Sequence, residues 1–528
     1  MSPLTSVSSA PAYLPAAAVA PAASAASTAS TPSTSSTSST TSSAAALGVR
    51  PSAPALSLYS ADGRLTAPAV WEQRQDDPLS ARLARNLAAS DTAGRWSGLG
   101  KALLDQASVG SSVYSQSVLL SATAAQGDDG VHAILRDQLH RFASQRIALT
   151  LTTNAGARID VQLGANAEGV AVDFKVSQGS LSDEDRAAVT ALGEAFDQAI
   201  QGLAGRPPIL ALDKLMQFDT HQLAALDFTA TLGDDLSLQL QIDGSQRSVT
   251  AHTAAGAMKV GLDATAAPVT GSAQQRQRAI ASYLEQFDAA ARRGQGDAGL
   301  MALFKNAFAQ LHASATAPVQ DHTPALLAAD ATDRGMLSGL GDFSASITGN
   351  SAWPNPLRRD EVDGFDYQVS QRTSLSGAGQ ADRSIVQQAQ SRLKASYHQS
   401  LQPDLPLQLD STRQSQNYTY HQIDDRADSQ LEIGYRQGFM TQARLRQSAS
   451  QDSRVSKYVL GELVSQTHTP LQAQIVRDFA AQLQDGKEAR AADGAYRRSR
   501  LLDGISELGL LQSDPQRVRA HGAQWLTE

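Results

Sequence analysis

Residues 147–178 read IALTLTTNAGARIDVQLGANAEGVAVDFKVSQ, and their apolar positions recur with a period of two. Ile147, Leu149 and Leu151 fall on one side of an extended chain, with Ala148, Thr150 and Thr152 on the other. The alternation returns at Ile159, Val161 and Leu163 and again at Val170, Val172, Phe174 and Val176. Side chains of a strand alternate between faces, so these are strands buried on one face only. The pattern resumes at Phe228, Ala230 and Leu232, at Leu236, Leu238, Leu240 and Ile242, at Val249 and Ala251, and at Met258, Val260 and Leu262. An antiparallel meander over Ile147–Asp263 is expected, with tight turns at Gly233-Asp234 and Asp243-Gly244.

One helix interrupts the meander. Ser182 and Asp185 have the spacing of a capping box, and Asp183 and Glu184 sit where the helix dipole favours negative charge. Val189, Leu192, Phe196, Ile200 and Leu203 form its apolar stripe, and Gly205, Pro207 and Pro208 end it. A sheet covered by helices on one face follows. Upstream, Asp77-Pro78 opens a helix through Leu83, Leu87 and Ala88; Trp96–Ala124 reads as weakly helical. Val131, Ile134, Leu135, Leu139 and Phe142 make an amphipathic helix expected to pad the sheet's apolar face. Downstream, Ser272 and Gln275 cap a helix with Ile280, Leu284 and Phe287. A turn at Gly294–Asp297 leads to Leu300, Phe304, Phe308 and Leu311, completing an αα-hairpin.

From His312 to Asp360 the apolar period fades into Pro, Gly, Asp and Ser, which predicts a connection between two folded regions. Beyond it, Phe365, Tyr367 and Val369 alternate, and Ile385, Val386, Ala389 and Leu393 are read as a helix. Long strands are expected at Leu405–Ile423 and Leu431–Leu445, then helices from about Val455 and over Pro470–Leu483. Val172–Gln178 (VDFKVSQ) and Phe365–Gln371 (FDYQVSQ) are alike, and Ser97–Gly100 is echoed at Ser338–Gly341, which raises an internal duplication. The expected fold class is α+β: antiparallel sheets with helices packed on the apolar face, preceded by a disordered Ser/Thr/Ala/Pro-rich N-terminal segment. The boundaries are 1–65 for that segment, 66–311 for a first α+β domain, 312–360 for the connection, 361–486 for a second α+β region and 487–528 for a basic helical tail.

The segment before Arg50 carries no charged side chain and too little apolar surface to offset the entropy of ordering it, hence the expectation of disorder. It lacks a basic region, and Pro11, Pro15 and Pro21 interrupt any hydrophobic run, so it does not read as a cleaved signal peptide. The whole chain has 528 residues, a formal net charge of -8 and no cysteine. That composition gives no electrostatic footprint for nucleic acid, and it excludes disulfides, thiolate metal sites and a cysteine nucleophile. No run is long and apolar enough for a membrane-spanning segment. Arginine outnumbers lysine 36 to 8, which reads as the composition of a GC-rich bacterial genome.

Motifs for chemistry are weak. Gly94–Lys101 places glycines before a lysine as a phosphate loop does, but Arg95 stands where glycine is needed and Ala102 where the magnesium-ligating hydroxyl belongs. Ser391 and Lys394 have a serine-to-lysine spacing without the other elements of that active-site type. His421, Asp424, Asp425 and Asp428 cluster in what reads as a strand-to-strand turn, where they could converge on a cation. The calcium-loop glycine is missing, and a solvated turn accounts for them as well. His132 and His140 are about 12 Å apart on one helix and cannot share a metal. Lys487, Arg490, Arg497, Arg498 and Arg500 are diluted by Glu488 and Asp493, with Tyr496 alone available to stack. No cofactor is implied. The expected function is that of a non-enzymatic binding or structural protein with a protein partner, cytoplasmic or exported without signal cleavage. The alternative is an enzyme whose site is assembled from distant residues near Asp424.

Overall fold

The computed structural model describes residues 69–524, except 74–75, 88, 90, 121–127, 206–207, 264–270, 315–326, 403 and 486–491. The expected disordered segment therefore lies outside the described residues, as do Ala88 and residues 315–326 of the expected connection. Fifteen strands follow in chain order: β1 (Val70–Trp71), β2 (Val113–Leu119), β3 (Gln145–Thr153), β4 (Arg158–Ala165), β5 (Gly169–Gln178), β6 (Leu223–Leu232), β7 (Leu236–Ile242), β8 (Gln246–Thr253), β9 (Gly256–Asp263), β10 (Phe343–Gly349), β11 (Gly364–Gly377), β12 (Arg383–Ser400), β13 (Tyr418–Arg436), β14 (Phe439–Val459) and β15 (Glu462–Asp478). The helices are α1 (Pro78–Asn86), α2 (Thr92–Trp96), α3 (Leu99–Leu104), α4 (Asp129–Phe142), α5 (Asp183–Ala191), α6 (Gly193–Ala204), α7 (Ala273–Gly294), α8 (Ala298–Ser314), α9 (Ala331–Met336), α10 (Ala480–Asp485), α11 (Ala492–Gly509) and α12 (Pro515–Gln524).

All fifteen strands join one sheet in the order β1-β2-β5-β4-β3-β6-β7-β8-β9-β10-β11-β12-β13-β14-β15, with antiparallel pairing throughout. The chain departs from a plain meander twice: α4 lies in the passage from β2 to β3, and α5 and α6 carry the passage from β5 to β6 across one face. Both predicted capping boxes form: Ser182 with Asp185 opens α5, and Ser272 with Gln275 opens α7. Ile147, Leu149, Val161, Phe174, Phe228 and Leu240 are fully buried on the face these helices cover. Their apolar period of two follows from a sheet with helices on one side and an open face on the other.

The sheet does not stop at the expected connection. Within 312–360 lies β10, which pairs with β9 from Phe343↔Leu262 to Gly349↔Gly256 and with β11 from Phe343↔Gln371 to Thr348↔Asp366. Phe343 packs edge-on against Tyr283 and Phe308, each at 5.2 Å between ring centroids. Ser344, Ser346 and Thr348 alternate with buried Ala345 and Ile347, so the polar composition that suggested a linker is the open-face half of a strand.

Four further expectations change. Ile385, Ala389 and Leu393 are spaced by four, which satisfies a helical stripe and a strand face alike; they lie in β12, where Val386 points the other way. The expected turn at 421–428 is the middle of β13, and the actual turn is Gln437-Gly438, both at positive φ (51° and 79°). The expected helices at 455 and 470–483 are the end of β14 and β15, with helix only from Ala480. Between Trp96 and Leu119 the chain forms α2, α3 and β2 instead of one helix. The two repeat-like strands are β5 and β11, but β5 leads to a helix and β11 turns back into β12, so their surroundings do not repeat.

Helix α4 is also displaced from expectation, because it sits on the face opposite α5 and α6. Leu139 packs with Leu119 and Ala171 in a cluster separate from the main core, while Val131, Ile134 and Phe142 stay exposed. Gly164 makes this docking possible: a Cβ there would lie 2.2 Å from the Leu139 carbonyl oxygen.

Candidate binding face

The four site candidates from the sequence alternate along β13, and the strand's period of two sends them to opposite faces. On the helix-covered face, His421 stacks on Tyr397 with ring centroids 4.6 Å apart and 9° between planes. Burial lowers its pKa. Asp425 lies on that face too, gripped by Arg293 of α7 with Nη2 3.0 Å from Oδ1. Burial pushes its carboxyl pKa up despite the guanidinium. On the open face, Asp424 accepts from Arg392 at 3.0 Å and Arg426 at 3.3 Å. Desolvation opposes its ionisation, but those two arginines outweigh it and hold the carboxyl below its ordinary value. Asp428 accepts from Gln388 at 2.8 Å and Gln390 at 3.1 Å. The four do not converge, and among the described residues no three or more His, Asp or Glu side chains are placed so that they could hold a metal ion.

The other motifs resolve into structure. Ser391 is buried on the covered face and Lys394 is exposed on the open one, so they cannot act together. In the phosphate-loop-like stretch, Asp197 accepts backbone hydrogen bonds from Gly98 and Gly100, a carboxylate where a phosphate would sit. Lys101 is paired with Asp105 at 2.9 Å. His140 bridges Asp173 (2.7 Å) and Glu72 (3.0 Å), which pins α4 to the open face. Of the basic run, Arg498 donates to Thr332 at 2.9 Å and Arg500 is exposed, while the side chains of Lys487, Arg490, Tyr496 and Arg497 lie outside the described residues.

What the structure assembles instead is a trough of about 1090 Å³ on the open face of β9–β15. Cross-strand register builds its floor in rows. One row runs Ser346, Gln368, Arg392, Arg426, Ser450, Gln472, each directly opposite the next. The neighbouring row runs Ser344, Ser370, Gln390, Asp428, Ser448, Gln474. Lys259 closes the β9 end opposite Ser346. Among the described lining residues, Asp428 is the single carboxylate against Lys259, Arg392 and Arg426, and there is neither an aromatic ring nor a histidine. Such a floor offers hydroxyl, amide and guanidinium donors to an acceptor-rich surface, and it contains no nucleophile paired with a base.

At the far end of β12–β14 the open face becomes covered, and burial in β13 switches from Ile423 and Ala427 to Tyr418 and Tyr420. The cover is a loop across residues 351–363, fixed by His398. Its Nδ1 contacts Asp363 at 2.7 Å and its Nε2 contacts Glu361 at 3.0 Å. Tyr418 donates to the same Glu361 carboxylate at 2.6 Å, and Asn355 donates to the Tyr418 hydroxyl at 2.8 Å. A neutral imidazole has one N–H, whereas two carboxylates ask for two, so the clamp is complete only as imidazolium. Burial works against that charge, but Asp363 and Glu361 together raise the His398 pKa above its ordinary value. Glu361, disfavoured by desolvation and favoured by His398 and Tyr418, is lowered.

Ser391, singled out for its spacing to Lys394, contributes to the trough lining, but the serines and glutamines of the two floor rows were not among the site candidates. The signal was present as period-two polarity in 384–396 and 466–476, and it was lost because the apolar partners of those residues also fit a helix. Compared with protein-family models, with curated proteins and with solved structures, the chain matches none.

Proposed function

We propose that this chain is a non-enzymatic binding protein whose working surface is the open face of β9–β15, and that its ligand is an extended, acceptor-rich surface of another protein. The observation that carries the reading is the trough. It is built from side chains of seven successive strands held in one register, so it is preorganised, and its charged groups favour an acidic or carbonyl-rich partner. A tract of 49 residues without a charge precedes it, and we assign that tract to partner recognition or to export without cleavage.

The enzyme reading rests on one observation: Asp424 and Asp452 are directly opposed on β13 and β14 beside a second hollow of about 540 Å³. Acid–base catalysis by such a pair needs one carboxyl protonated near neutral pH. The arginines beside Asp424 favour the opposite, and Asp452 is already bonded to His468 at 2.8 Å. An ion-paired ladder on a binding surface accounts for both.

The test places a photoreactive residue at Gln390, at Ser448 and, as a control, at exposed Asp183 on α5. The two trough positions should yield the same adduct in cells, the control should not, and a double Arg392→Glu, Arg426→Glu change should abolish it. Adducts common to all three positions, or none from the trough, would refute the assignment. For the N-terminal tract, a reporter fused to residues 1–48 should follow the native protein on fractionation; a reporter and native protein both confined to the cytoplasm would rule out export.

A further inference from the structure

β15 runs for 17 residues with no strand beyond it among the described residues, whereas the opposite edge of the sheet is the two-residue β1. Unpaired backbone groups on an edge template pairing with another strand, and proteins normally blunt such edges with charge, proline, bulges or shortness. From Leu463 to Val476 there is no Lys, Arg, Asp or Glu. Leu463, Val464 and Val476 are 52%, 60% and 56% exposed.

The outward direction of the backbone can be assigned. Arg519 of α12 donates to the Gln472 carbonyl at 2.5 Å, so that carbonyl points off the edge and not into the β14 ladder. Backbone groups alternate in direction along a strand, which turns those of Gln466, His468, Pro470, Gln474 and Val476 outward as well. Pro470 then lacks its N–H on the free side, where no ladder bond is lost.

We infer that two copies of this chain pair β15 against β15, antiparallel, about a two-fold axis at Leu471. With Leu471 on the axis, Pro470 faces Gln472 of the second copy. Proline cannot donate to that carbonyl, and Arg519 supplies the missing donor from within the same chain. An axis at Pro470 would ask the His468 amide of the second copy to donate to the Gln472 carbonyl, and an axis at Gln472 would ask the second copy's Gln472 amide to do so; in both, Arg519 already donates to it. The Leu471 register also opposes Ser465 to Arg477, Gln466 to Val476, Thr467 to Ile475 and His468 to Gln474. No like charges meet, and each pair lies on one face of a continuous sheet. The contact is isologous and therefore closes at two copies.

The chain has no cysteine, so introduced cysteines report without background. Opposed residues of an antiparallel pair have Cα atoms about 4.5–5.5 Å apart, within disulfide reach. Light scattering of the full-length protein should give the mass of two chains. On mild oxidation Leu471→Cys should convert most of the protein to a covalent dimer, as should the double change Gln466→Cys, Val476→Cys. Val476→Cys alone should cross-link at least tenfold less, because its counterpart lies roughly ten strand positions away at about 3.3 Å each. A single-chain mass, a dimer that does not cross-link at Leu471→Cys, or equal cross-linking by Val476→Cys alone would overturn the inference.

Discussion

At the scale of single residues, parity along a strand decides what each side chain does. Phe174 and Leu240 are fully buried on the helix-covered face, whereas Thr229 and Gln239 face away from it. Replacing Phe174 or Leu240 with alanine should cost about 2–5 kcal/mol in denaturant unfolding, since each leaves a cavity in a packed core. Alanine at Thr229 or Gln239 should change stability by less than about 0.5 kcal/mol; equal losses at both sets would mean that both faces are covered. This much was legible in the sequence, because Ile147–Asp263 alternates cleanly and few of its residues fit a helical stripe. The polar candidates were not legible in the same way. His421, Asp424, Asp425 and Asp428 looked like one cluster because they are close in sequence, yet two face α7 and two face the open side. Charge density says nothing about direction unless the element type is already known.

At the scale of elements, the loop over residues 351–363 depends on the His398 clamp, and this gives a pH signature with a definite sign. The His398 pKa is raised by folding, so its contribution is present in full below about pH 6.5, the ordinary histidine value. It is lost as the pH rises through the raised value. Glu361 is lowered by folding, so its share is present above the ordinary glutamate range and is lost as the pH falls through the lowered value. The clamp is therefore strongest between those limits. The unfolding midpoint of the whole protein should fall as pH rises from 6.5 toward 9, and His398→Gln should flatten that slope. His398→Ala, which leaves buried Glu361 without its cation, should cost roughly 3–5 kcal/mol near pH 6.5. A slope unchanged in His398→Gln would show that other groups carry it. Element type itself was hardest to read where spacing is degenerate: residues four apart, such as Ile385, Ala389 and Leu393, suit both a helix and a strand. Ser384 and Gln387 have the spacing of a capping box ahead of them, which favours the helical reading, and apolar Val386 on the open face hides the alternation.

At the scale of the whole molecule, the described residues belong to one unit, Ser57–Glu528, and the main core runs without a break from Leu79 through Phe343 and Ile423 to Val518. Cutting the chain after residue 311 would strip Phe343 from its contacts with Tyr283 and Phe308 and leave β9 as a bare edge. The fragment 71–311 should accordingly melt well below the full chain or aggregate; a fragment as stable as the parent would mean that the two halves hold separate cores. The trough exists only if β10 joins those halves, since Ser344 and Ser346 of β10 form part of its floor. Hydrogen exchange of the full-length protein tests that join most directly. If β10 is a central strand, the amides of Ser344–Thr348 should exchange as slowly as those of β9 and β11 on either side. Exchange there at the rate of an open loop would contradict the single sheet, and with it the binding face built across it.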